Sequence, residues 1–239
     1  MSPQRRFALI PARGGSKRIP RKNVVELEGK PLITWTIDAA RECGLFDRII
    51  VSTDDEEIAE ISRRAGAEVP FLREAYADDH SPVSLATISA IERLAAEGLE
   101  CDVVVQLFAA CPLRNADDIR DGVEHFERSG AAFQISCFDM GWAHAWWAVR
   151  LDAEGRPAPL FPSERLKRSQ DLEPIYCPTG ATWIARTEAL LEARTFYGPD
   201  HRFHPMPWHR AVDIDEPEDL RMASALYRAY RAVAVDGKR

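Results

Sequence analysis

Between Pro11 and Asn23 the chain reads Pro-Ala-Arg-Gly-Gly-Ser-Lys-Arg-Ile-Pro-Arg-Lys-Asn, which sets Arg13, Lys17, Arg18, Arg21 and Lys22 within ten residues. A basic run of this kind is commonly just a solvated turn. This one directly follows a short apolar run, Arg6–Ile10, and loops at the carboxyl ends of parallel strands are where open α/β sheets bind ligands. Gly14 and Gly15 permit positive φ, so successive backbone N–H groups can converge on phosphate oxygens while Arg13, Lys17 and Lys22 neutralise charge. The loop suits a triphosphate. Neither G-x-x-x-x-G-K-[ST] nor G-x-G-x-x-G is present, so it is neither a Walker loop nor a dinucleotide fingerprint.

Near the other end, Ala211-Val212-Asp213-Ile214-Asp215 puts two carboxylates at i and i+2, on one side of an extended strand. Paired hard oxygen donors suit Mg2+, which takes one or two carboxylates together with substrate phosphates and water. The competing reading is a cap for the helix that begins at Glu216; Asp219, inside that helix, is expected to matter far less. Asp54 and Asp55 are expected to be occupied by helix capping, at Thr53 or Asp54. Arg73 either holds a nucleotide carbonyl or phosphate or makes a surface ion pair. His201, His204 and His209 lie with Asp200 in one expected loop, at spacings that match no H-E-x-x-H helix, and are read as surface histidines.

These groups need a scaffold, and hydrophobic periodicity describes one. Strand-like runs at Arg6–Ile10, Arg48–Ser52, Val69–Leu72, Val103–Leu107 and Ala131–Cys137 alternate with helical patterns at 31–43, 55–65, 83–97 and 117–128. Regular structure resumes at Ala181–Ala185, and Glu216–Val235 forms a final helix with Pro217 in its first turn. The alternation predicts one doubly wound α/β domain over residues 1–239, with a mostly parallel sheet and helices on both faces. It breaks at residues 138–176, where Trp142, Trp146 and Trp147 sit among prolines and basic residues. An insert of that length is expected to project as a small arm that buries its tryptophans against a second copy.

Composition removes several alternatives. The chain of 239 residues carries 31 Lys+Arg against 38 Asp+Glu, a net charge of −7, the wrong sign for binding a nucleic acid polymer. No run approaches the roughly 18 apolar residues of a membrane span, and the start has no signal-peptide core, so a cytoplasmic location is expected. Five scattered cysteines without a C-x-x-C pair predict reduced thiols and no zinc site.

Taken together, IPARGGSKRIPRKN, FDRIIVSTDDEEIAE, RSQDL at Arg168–Leu172 and VDIDEPEDL resemble the acylneuraminate cytidylyltransferases, or CMP-sialic acid synthetases, in order over nearly the whole chain. The resemblance implies a Rossmann-like nucleotidyltransferase fold. It also implies attack of the 2-hydroxyl of a nonulosonic acid on the α-phosphate of CTP, with Mg2+, in a homodimer whose arm closes the neighbour's site. By match to the motifs, Ala12, Arg13, Gly14, Ser16, Lys17, Lys22, Asn23 and Arg73 would hold nucleotide and triphosphate, and Asp213 and Asp215 the metal. Arg13, Lys17, Lys22, Asp213 and Asp215 would carry the catalysis.

The sugar side departs from the family pattern. Where sialic acid synthetases read Q-P-T-S-P-L-R, the shared P-L-R places Phe108 at the sugar-contacting Gln, with Gln106 two positions earlier. That segment, Gly14-Gly15 and RSQDL are more similar to pseudaminic acid cytidylyltransferases. Pro82 and Val83 replace paired serines, and Tyr176-Cys177-Pro178-Thr179-Gly180 replaces R-P-N-G or H-D-A-G. Gln106, Phe108, Gln170 and Thr179 are the sugar-binding candidates. Phe108 favours a deoxy, N-acylated acid of the pseudaminic or legionaminic type. The rivals are a CMP-Kdo synthetase, a nucleotidyltransferase for a neutral sugar phosphate, and a non-catalytic nucleotide-binding relative.

Overall fold

The computed structural model describes residues 4–76, 81–141 and 143–236. Strand β1 (Arg6–Pro11) is apolar on both faces, with Phe7 to Ile10 buried, as a strand covered by helices on either side requires. A 3-10 turn at Lys22–Val24 and a short hairpin, β2 (Glu26–Leu27) with β3 (Lys30–Pro31), lead into α1 (Leu32–Cys43), which Gly44 ends in the left-handed conformation. Then follow β4 (Arg48–Ser52), α2 (Glu56–Arg64), α3 (Val83–Ala96) and β5 (Val103–Gln106). Next come α4 (Ala116–Ser129), started by a reciprocal Asn115–Asp118 capping box, and β6 (Phe133–Asp139). Beyond β6 lie the small hairpin of β7 (Val149–Leu151) and β8 (Pro157–Pro159), then β9 (Tyr176–Arg186), α5 (Thr187–Ala193), β10 (Arg202–Pro205) and α6 (Pro217–Asp236).

The main sheet runs β10-β6-β9-β5-β1-β4. All neighbours are parallel except β9, which is antiparallel to both β5 and β6. This is a mostly parallel, doubly wound α/β sheet. From β1 the chain passes to β4 on one side, and β5 takes the other, so the crevice for ligands opens between the carboxyl ends of β1 and β5. One apolar layer packs Ile10 and Val105 against Ile33, Ile37, Ile58, Ile119 and Phe126. The opposite layer packs Leu9, Val104 and Ile135 against Ile88, Ile91, Leu94, Leu190 and Phe196. A third cluster joins Ile19, Leu27, Leu32, Val212, Ile214 and Ala223, and so fastens the basic loop to the Asp213–Asp215 segment and α6.

Several expectations need correction. Val69–Leu72 forms no strand; only the bridges Ile50 with Glu68 and Thr53 with Leu72 remain, because Pro70 has no N–H for a ladder. Strand β9 begins at Tyr176, not near Ala181: past an irregularity between Ile135 and Cys137, residues Tyr176 to Pro178 pair with Asp139, Phe138 and Cys137. Both ends of the 138–176 insert therefore lie in the main sheet, and residues 140–175 form the excursion. Within it Trp146 Nε1 donates to the carbonyl of Glu173 at 2.8 Å and its ring meets Phe161 edge-on. Trp147, Leu151, Leu160 and Leu166 are exposed. Asp213 and Asp215 sit in a loop between the 3-10 turn at Trp208–Arg210 and α6, not on a strand. The histidines do not share a loop: His204 lies in β10 against His125, and His209 stacks on Tyr230 at 3.9 Å. Asp78, Asp79 and Trp142 fall outside the described residues.

Candidate active site

The basic loop is knitted to its surroundings at several points. The Ala12 N–H donates to the Ser52 carbonyl at 3.0 Å, the Gly14 N–H to Asp54 Oδ1 at 2.9 Å, and buried Asn23 Nδ2 to the Arg13 carbonyl at 2.8 Å. Neither Gly14 nor Gly15 adopts positive φ; Arg21 does, at 57°. Gly14 is required for space instead, since a Cβ there would lie 2.7 Å from Asp55 Oδ2. The helix cap is also one residue later than expected: Asp55 accepts from the Ile58 N–H and pairs with Arg21, leaving Asp54 to hold the loop at Gly14.

Arg13, Lys22, Asn23, Arg73, Asp213 and Asp215 converge on one cleft of about 300 Å³, floored by Phe108, Ala109 and Ala110. Ser16, Lys17 and Arg18 join Arg13 and Lys22 around its outer extension. The Arg73 side chain is buried, so its pairing with Asp54 is not a surface ion pair. It is 8% exposed, Nη1 donates to the Ser52 carbonyl at 3.4 Å, Nη2 stands 4.0 Å from Asp54, and Nε has no partner among the described residues. Burial lowers its pKa, Asp54 pulls the other way, and Arg13 adds to the lowering.

The carboxylate pair is held from three directions. The Ile214 N–H donates to the Ala110 carbonyl at 2.9 Å; Lys22 Nζ donates to the Ile214 carbonyl at 2.8 Å and to Asp215 Oδ1 at 3.0 Å; Arg18 approaches Asp215 at 2.8 Å. Asp219 does the capping that the sequence left to the pair: its Oδ2 accepts from the N–H groups of Asp215 at 2.9 Å and Glu216 at 2.7 Å. Burial works against charge on Asp215, yet Lys22 and Arg18 outweigh it and hold that carboxyl below the usual range. Burial, then the charge of Asp215, pushes Asp213 upward, and no hydrogen bond to its carboxylate is found among the described residues. A half-buried, unbonded carboxylate beside a second one suits a hard divalent cation, so these residues fit Mg2+.

A cavity of about 730 Å³ adjoins the cleft and shares Phe108 and Asp213 with it. Its walls include Phe138, Met140, Trp183, Tyr197, Trp208 and Met222. Sequence reasoning missed all six. They span 85 positions at no periodic spacing, and they come from β6, β9, α6 and the loops between, so no local signal joins them. The main chain of Phe108 is pinned: its N–H donates to the Gly180 carbonyl at 3.1 Å, and its carbonyl accepts from Thr36 Oγ1 at 3.2 Å and from buried Arg114 Nη1 at 3.4 Å. Thr179 lines the cavity, but its hydroxyl donates to the Ala211 carbonyl at 2.8 Å. Gln106 lines neither space: its β5 register sends it inward, where its Oε1 accepts from Thr87 Oγ1 at 2.5 Å. Gln170 is exposed on the excursion, in the 3-10 turn Ser169–Asp171, and lines neither space of its own chain.

Against known proteins, residues 7–195 match the family model described as Cytidylyltransferase. The pseudaminic acid cytidylyltransferase of Campylobacter jejuni subsp. jejuni (serotype O:2) is 35% identical over 224 residues, 93% of this chain and 96% of that protein. The CMP-N,N'-diacetyllegionaminic acid synthase of Legionella pneumophila is 34% identical over 229 residues, 92% of this chain and 95% of that one. Among solved structures, a CMP:2-keto-3-deoxy-manno-octonic acid synthetase complexed with CTP superposes with a TM-score of 0.71 at 17% identity, covering 95% of this chain and 99% of the other.

Proposed function

The chain belongs to the cytidylyltransferase family, and on that premise we propose that it joins the cytidylyl group of CTP to a nonulosonic acid, releasing pyrophosphate. The observation that carries this reading is the position of Asp213, a wall of both the cationic cleft and the apolar cavity, where nucleotide and acid sugar would meet. Arg13, Lys17, Lys22 and Arg18 surround the outer cleft and bind the phosphates; Arg73 supplies a buried positive charge deeper in. The sugar 2-hydroxyl forms a bond to the α-phosphorus as the bond to the β-phosphate oxygen breaks, and the basic loop stabilises the departing pyrophosphate. Asp213 and Asp215 hold Mg2+, which when bound supplies charge neutralisation and makes an oxygen ligand more acidic. Among the described residues that line these spaces none is histidine, and the carboxylates of Asp213 and Asp215 and the phosphate oxygens are acceptors there for the hydroxyl proton.

The cavity supports a sugar with deoxy and N-acyl groups, of the pseudaminic or legionaminic kind, because Phe108, Trp183 and Trp208 offer little to hydrogen-bond a polyhydroxyl chain. The exposed Trp147, Leu151 and Leu166 support a homodimer made through the excursion, which would bring Gln170 to a neighbour's cavity. Among the described residues no helix is long and apolar enough to cross a membrane. We place the reaction in the cytoplasm, where five free cysteines stay reduced. Pyrophosphate release from CTP with pseudaminic, legionaminic, N-acetylneuraminic and Kdo acids, with and without Mg2+, tests the whole reading. The highest kcat/KM is expected for one of the first two; turnover of Kdo alone, or none at all, refutes it.

A further inference from the structure

We infer that Asp219 is a positioning residue for the metal-holding carboxylate of Asp215. The inference rests on the reading of Asp213 and Asp215 as ligands of Mg2+. Asp219 stands in the first turn of α6, where an ordinary capping box needs its carboxylate to reach only the N–H of the residue just before the helix. That bond is present, to Glu216 at 2.7 Å. The same oxygen, Oδ2, also accepts the N–H of Asp215 at 2.9 Å, one residue outside the helix, so it does more than a helix start requires.

The second bond falls at a telling place. On the preceding residue, Ile214, the N–H is tied to Ala110 and the carbonyl to Lys22. Asp219 supplies the remaining restraint, on the far side of the peptide that leads into Asp215. With both peptides of Asp215 fixed, its side chain departs from a set point, and the two carboxylates need not pay the entropy of finding each other when a cation arrives. Without Asp219, the peptide that leads into Asp215 keeps only its Lys22 restraint, and Lys22 and Arg18 then pull a less firmly anchored carboxylate toward the basic loop. Outer groups that orient ligands typically account for about 10–100-fold in metal affinity.

The test is calorimetric titration of Mg2+ into the full chain saturated with CTP, alongside Tm and the kcat and KM for the acid sugar. Asp219→Ala is expected to weaken Mg2+ by about tenfold or more, and Asp219→Asn, whose amide oxygen still accepts both N–H groups, by less than about threefold. Asp219→Glu keeps charge and acceptor but displaces the oxygen, so weakened Mg2+ with an unchanged Tm is expected even if Asp219→Ala fails to fold. In an Asp215→Asn background, replacing Asp219 should add little, because its effect acts through Asp215. Parent-like Mg2+ affinity in Asp219→Ala or Asp219→Glu, or an undiminished effect in the Asp215→Asn background, overturns the inference and leaves a plain helix cap. A parent chain that binds no Mg2+ with CTP is a different outcome: it removes the metal reading itself.

Discussion

Gly180→Ala is the sharpest probe of the wall between the two spaces. An ideal Cβ on Gly180 would lie 2.2, 2.5 and 2.8 Å from Cδ2, Cγ and Cε2 of Phe108, against about 3.5–4.0 Å for carbons in ordinary contact. The ring must therefore shift by more than about 1 Å. It cannot carry its main chain along, because the Phe108 N–H and carbonyl are held by Gly180, Thr36 and Arg114. Trp183, with its ring centre 5.1 Å away, occupies the space beside it. What remains is a forced side-chain rotation into the passage between cavity and cleft. Overpacking of this kind costs about 1–3 kcal/mol of stability, read as a lower Tm, and the ring displaced into the passage should lower kcat/KM for the acid sugar. CTP affinity should change less, since the phosphates are proposed to bind at Arg13, Lys17 and Lys22 around the outer space, which Phe108 does not line. Steady-state kinetics of Gly180→Ala, Phe108→Leu and the double variant form a cycle in which the smaller residue at position 108 should recover most of the loss. Parent-like turnover in Gly180→Ala, or a double variant as impaired as the single, would refute the steric argument.

Asp213→Asn and Asp215→Asn should each fold, lose about two decades of kcat, and bind Mg2+ more weakly in the presence of CTP; normal turnover in both removes the metal site. Lys22→Met deletes the ammonium that bridges Asp215 and the Ile214 carbonyl, and calorimetry should show CTP affinity reduced by about 1–3 kcal/mol. Burial, then the charge of His125, holds the pKa of His204 below 6.5. The unfolded chain therefore binds that proton more readily, so stability is complete above about pH 6.5 and declines as pH falls through that value toward the lower folded pKa; Tm scans should show a shallower acid limb in His204→Gln. Substituting Lys for Leu166, 92% exposed on the excursion, should shift sedimentation from dimer toward monomer, and a monomeric, fully active parent contradicts that proposal.

The parts of the fold that announced themselves were those written in consecutive residues. Phe7 to Ile10 and Val103 to Val105 have to be doubly covered strands, and the loop after the first one has to open at the sheet's carboxyl edge. The basic loop and the Asp213–Asp215 pair were legible because their chemistry is local. The apolar cavity was not, because Phe138, Trp183, Trp208 and Met222 are gathered only by long-range packing. Pro178 and Gly180 concealed the start of β9, since both residues weaken a strand in isolation; pairing with β6 overrides that preference. Gln106 misled for a related reason. A polar residue at a strand end suggests a ligand contact, yet one step of register decides which side of the sheet it faces.

The excursion grows from β6 and β9, the second and third strands of the sheet, whose ladder continues outward to Asp139 and Tyr176. It is thus rooted like a cantilever in a hydrogen-bonded ladder. Bending it means breaking paired amides one after another, and Phe138 and Cys177, on those last rungs, are themselves walls of the cavity. A load on the tip is therefore delivered as strain at the walls of that cavity, whereas a loop-hinged arm would dissipate it.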